Sequence, residues 1–136
     1  MKYAAQTQVP VDRSRSEIEK TLIKYGADQF IFGWEGQRMM VGFRISKRFI
    51  RIALPPPDKD LTEDRQQQQM RQRWRVLLLT IKAKLEAVDS GISSIENEFL
   101  AHVMLPNNQV VGDWLRPQIE KSYESGDLPK LLPGAP

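Results

Sequence analysis

Four cations stand between Arg44 and Arg51, in the stretch FRISKRFIRIAL: Arg44, Lys47, Arg48 and Arg51. Phenylalanine and isoleucine interleave them. Cations in this setting can neutralise phosphates while a neighbouring ring stacks a base. A second cluster, RQRWRV, sets Arg71, Arg73 and Arg75 around Trp74. On a helix Arg71 and Arg75 share a face, and Arg73 lies well around from them. The candidate nucleic-acid-binding residues are therefore Arg44, Lys47, Arg48, Arg51, Arg71 and Arg75. The plainer reading is that these are the ordinary solvated charges of a half-buried sheet and helix.

Other chemistry is poorly represented. His102 is the one histidine and cysteine is absent, so no thiolate or histidine cluster can form a metal site. Asp58, Asp60, Glu63 and Asp64 lie close together, but the glycine and spacing of a calcium hand are missing. No G-x-S-x-G elbow and no glycine-rich phosphate loop occurs. Ser90, Ser93 and Ser94 read as capping residues at a helix junction. His102 could serve as a general base, but a lone hairpin histidine is more often structural. Neither an enzyme nor a cofactor is expected.

Several elements must hold these residues. Ser16 and Glu19 read as a capping box opening a helix over 17–25, after an extended arm or edge strand at 1–12. Phe30, Phe32 and Trp34 alternate, then Met39, Val41, Phe43 and Ile45, then Ile50, Ile52 and Leu54. That is the period of a half-buried three-stranded antiparallel meander, with turns at Glu35-Gly36 and at Ser46 to Arg48. Arg44 and Arg51 fall opposite the apolar set and should share the open face. Pro55 to Pro57 end the last strand. Residues 55–69 read as a linker or loop running into a helix that Thr62 can cap, its glutamines projecting into solvent.

Met70, Trp74, Leu77, Leu78, Ile81, Leu85 and Val88 recur at three and four, a complete core stripe. Both Trp74 and Trp34 are assigned to the core. Ser93 and Glu96 suggest a second capping box before a short helix. Residues 102–112 read as a small hairpin turning at Asn107-Asn108, and Asp113 as the cap of a last helix with Pro117 in its first turns. The tail, 127–136, reads as an extended strap. The expected architecture is a single α+β domain: a three-stranded antiparallel meander packed against a long helix, with a small C-terminal hairpin and helix.

The chain has 136 residues and a net charge of +3, unevenly spread. Residues 1–54 carry ten Lys/Arg against five Asp/Glu, and residues 84–136 carry four against eight. A basic front can steer a polyanion, and an acidic back can imitate one. No apolar run is long enough to cross a membrane, and the start lacks a signal-peptide centre.

The stretches GWEG, RQRWRVLLLTIKAKLEAVDSGI, EFLAHVMLPNNQVVGDWL and LPKLLPG resemble a family of small uncharacterised proteins of tailed phages and prophages. The resemblance implies a phage context, in the cytoplasm of an infected or lysogenic bacterium, and transfers no functional residue. It favours roles in DNA transactions, host takeover or counter-defence. Two expectations follow: a non-enzymatic protein binding nucleic acid, single-stranded by preference, through the basic sheet face; or a module that blocks a host protein.

Overall fold

A computed structural model of the chain describes residues 2–36 and 38–129, with side chains from Arg13 onward. The elements are α1 (Lys2–Lys24), β1 (Gln29–Glu35), β2 (Arg38–Ile45), β3 (Arg48–Leu54), α2 (Glu63–Asp89), α3 (Ile95–Glu98), a 3-10 turn (Leu100–His102) and α4 (Val111–Ser125). The fold is α+β, and the strands form one antiparallel sheet in the order β1-β2-β3.

Strict alternation puts Met39, Val41, Phe43 and Ile45 on one face of β2, and Ile50, Ile52 and Leu54 on the same face of β3, all buried. α2 covers that inner face with Met70, Trp74, Leu77, Leu78, Ile81 and Leu85. α1 lies beside α2 and adds Ile18 and Leu22 to the same core. Trp74 is completely buried. Its ring tilts against Phe32 at 5.3 Å, and its indole N–H donates to Met39 Sδ at 3.0 Å. Thr62 caps α2 by accepting from Arg65 N.

Several details depart from expectation. Residues 2–12 are helical, neither an arm nor a strand. Ser16 and Glu19 therefore lie mid-helix, where good helix formers such as Ala4, Ala5, Gln6 and Gln8 have extended it backward. Trp34 is 47% exposed near the end of the edge strand β1, and so is not part of the core. The glutamines do not all face solvent. Gln67 is buried, and Gln66 and Gln69 hydrogen-bond Asp58, tying the proline loop to α2.

Further on, Ser94, not Ser93, caps α3 by accepting from Asn97 N. α4 starts at Val111 with Val110 as its cap residue, so Pro117 lies deeper than its first turn and Asp113 pairs with Arg116 instead of capping. The expected hairpin is reduced to single bridges, Met104↔Val110 and Ile50↔Val103. The second of these docks the loop on the edge of β3 and shields its backbone groups. Of the tail, only residues 127–129 are described, and the expected strap beyond them lies outside the described residues.

Candidate nucleic-acid interface

The outer face of the sheet is built by the other half of the alternation. Register places Ile31, Gly42 and Arg51 in one row across the three strands, with Gly33 and Met40 paired in the next. Glycine at 33 and 42 removes two side chains from the middle of this face. The space left is a groove of about 550 Å³, floored by Ile31, Gly33, Met40 and Gly42. Phe49 lines it from β3, and the docked loop overhangs it with Met104, Leu105 and Pro106.

Along the strands from this groove, toward the β1–β2 turn, the lining changes character. A second recess, of about 310 Å³, is lined by Glu35, Arg38, Met40 and Arg51 from the sheet. Its wall is Ala101 and His102 of the 3-10 turn, with Val110, Asp113 and Arg116 at the start of α4. Met40 and Arg51 line both spaces, so the two are adjoining halves of one cleft. Three guanidiniums face two carboxylates there, leaving one net positive charge. Arg116 is bound to Asp113 at 3.1 Å in an exposed pair, the kind that is readily exchanged for a better anion.

His102 is half-buried beside these charges. Burial holds its imidazole below the ordinary histidine range, and the nearby Lys84 and Arg116 charges push the same way. Its hydrogen bond to the Arg51 backbone and the Asp113 carboxylate act in the opposite sense.

The expected site residues do not converge. Arg51 alone lines the cleft. Arg44 shares its face but is held by Asp28: its Nε donates to Oδ1 at 2.8 Å and its Nη2 to Oδ2, a two-pronged pair that keeps the Asp28 carboxyl below its usual range. The connection between β2 and β3 is a two-residue turn, Ser46-Lys47, both with positive φ (+50° and +64°), as a tight hairpin requires. Lys47 is therefore at the exposed tip, and Arg48 belongs to β3, in phase with Ile50 on the inner side. There it donates to Glu96 of α3 at 3.0 Å.

Arg71 and Arg75 are on α2, which packs the opposite face of the sheet, so they reach neither space of the outer cleft. Arg73, between them, clamps the end of β3 by donating to the Pro55 and Pro56 carbonyls at 3.0 and 2.6 Å. Arg38, Arg116, Glu35, His102 and Asp113 were not among the expected site residues. Arg38 does fall in the outward phase of β2, a signal present in the pattern. Arg116 carries none, since only the docking of 103–110 on β3 brings α4 to the sheet.

Among the described residues no group of three or more His, Cys, Asp or Glu is placed to hold a metal, and no helix is long and apolar enough to cross a membrane. Comparison with family models, with curated proteins and with solved structures finds no match for this chain.

Proposed function

We propose that the chain is a non-enzymatic binding protein that takes single-stranded nucleic acid on the outer face of its sheet. The supporting observation is the adjacency of an apolar groove and an arginine-lined recess that share Arg51. A nucleotide has the same two parts. Its base has an apolar face that stacks on rings such as Phe49, and its phosphate accepts paired hydrogen bonds from guanidinium. A single strand can present both at once, because its bases are not turned inward on a partner strand. The basic contacts in this reading are Arg51, Arg38 and Arg116, with Arg44 at the margin over the Phe49 ring at 5.9 Å. In the phage setting that the sequence resemblance implies, the protein would act on nucleic acid in the cytoplasm of an infected or lysogenic bacterium.

The test is fluorescence anisotropy with labelled single- and double-stranded oligonucleotides at low salt. The parent should bind single strands, and Arg51→Gln should weaken binding with its thermal midpoint unchanged. No binding of either form at low salt would sink the reading.

A second reading, a module that blocks a host protein, is favoured by apolar side chains on the opposite side of the molecule. Val76 and Leu79 of α2 are each 52% exposed, and the acidic stretch 84–136 offers a surface that can imitate nucleic acid. That reading leads if the oligonucleotides fail.

A further inference from the structure

The arginine-lined recess differs from the groove beside it in more than polarity. It is backed by a tight wall. At Gly112, in the first turn of α4, an added Cβ would lie 3.0 Å from the Ala101 carbonyl oxygen and 3.2 Å from Arg116 Nη2. The 3-10 turn and α4 are thus in backbone contact, and Arg116 is packed against that contact. The start of α4 has no side-chain cap, so the positive end of the helix adds to the guanidiniums. Asp113 and Glu35 offset part of this charge, and Asp113 pairs with Arg116.

Three guanidiniums around so small a space offer more donors than a phosphodiester can use. An internal diester has one charge and two free oxygens. A terminal phosphate monoester has nearly two charges and three free oxygens, and guanidinium matches them in pairs. A net positive recess gains about twice the attraction from it. A strand ending here also needs no exit past the wall, while its first bases run back over Met40 into the apolar groove.

We propose that the recess lined by Arg38, Arg51 and Arg116 is an end-recognition site for a terminal phosphate monoester of a nucleic-acid strand. This rests on the reading of the outer face as a single-strand site and names which part of the strand is held where. His102, half-buried, forms part of the recess wall beside these arginines.

The test uses one single-stranded sequence made with a 5′-phosphate, with a 3′-phosphate or with hydroxyls at both ends, labelled internally. Affinities for the parent, Arg38→Gln and Arg116→Gln are measured by anisotropy, with folding checked by circular dichroism. One phosphorylated end should bind at least about tenfold tighter than the hydroxyl strand, the size of one charge-assisted hydrogen bond. Both variants should lose that advantage, and inorganic phosphate should compete for it. If all three strands bind alike, end recognition is overturned and the single-strand reading stands. The inference also falls if the phosphorylated end is preferred but neither variant reduces the preference. If no strand binds, both readings fall together.

Discussion

The two faces of the same three strands are built by different rules. On the inner face every position from Met39 to Ile45 and from Ile50 to Leu54 is filled and buried against helices. The outer face holds two glycines, a 63% exposed Ile31, a 46% exposed Phe49 and a half-buried Arg51. A sheet face meant only for water would carry short polar or β-branched residues, and glycine weakens a strand. The inner face is the solution to packing. The outer face gives up strand stability and leaves apolar side chains uncovered, which is the pattern of a surface shaped for a ligand. Substitutions should therefore separate cleanly: inner-face changes act on stability, and outer-face changes act on binding.

The largest expected effect is on the inner face. Trp74→Ala removes a completely buried ring and its contacts with Phe32 and Met39, and should cost about 3–5 kcal/mol in urea unfolding. Phe49→Ala on the outer face should change stability by no more than about 1 kcal/mol and should weaken oligonucleotide binding. Equal destabilisation by the two would erase the distinction between the faces.

Filling the groove is a sharper probe, because it adds atoms without touching a charge. A Cβ at Gly42 would meet Ile31 Cβ and the Ile50 carbonyl at 3.8 Å, ordinary contact, and its φ is not in the left-handed region. Gly42→Val should leave the melting temperature equal or higher, since valine suits a strand where glycine does not. It should also reduce single-strand affinity by about tenfold or more by occupying the base site. Loss of stability would show that the glycine serves packing, and unchanged affinity would place the ligand elsewhere.

What the sequence revealed follows from the range of the signals involved. The inner face and the stripe of α2 were legible because each is a short-period pattern, read within one element. The length of α1 was not, because a capping box at Ser16 and Glu19 is equally at home inside a helix once the preceding residues favour one. The cationic patch was misread for a geometric reason. Treating Arg48 as part of the turn hid its phase, but the two-residue turn at Ser46-Lys47 makes it inward-facing and a partner of Glu96. Asp28, which occupies Arg44, stands before β1 with no local mark of that role. The recess was invisible for the broadest reason. Glu35, Arg38, Arg51, His102 and Arg116 come from separate segments, and the bridge Ile50↔Val103 that unites them has no periodic signature.

Salt dependence measures how many cations the outer face commits. With Arg38, Arg51 and Arg116 closing on one terminal phosphate of nearly two charges, log affinity for the end-phosphorylated strand should fall with log salt at a slope of about −1 to −1.5. Arg51→Gln should flatten that slope, whereas Lys47→Gln, at the hairpin tip, should leave it nearly unchanged. A slope equally sensitive to both would mean a diffuse basic surface in place of a defined cleft.

The smallest expected effect is a proton effect at the wall of the recess. His102 has a folded-state affinity for protons below its ordinary value, first because of burial and then because Lys84 and Arg116 repel the charged form. The Arg51 carbonyl and Asp113 oppose this without overcoming it. The unfolded chain therefore binds the proton first as pH falls. Its contribution to stability is fully present above the ordinary histidine pKa of about 6.5 and is lost as pH falls from there toward the folded value. His102→Gln removes the titration. The melting temperature of the parent should thus fall relative to the variant between neutral and mildly acidic pH, with a constant difference above that window. A bound anion in the recess should reverse the sign of the local field and favour the imidazolium. With an end-phosphorylated strand at saturating concentration, the acid-side gap between parent and variant should then narrow. If the gap is the same with and without the phosphorylated strand, the anion does not sit against His102, and the recess loses its claim to the strand end.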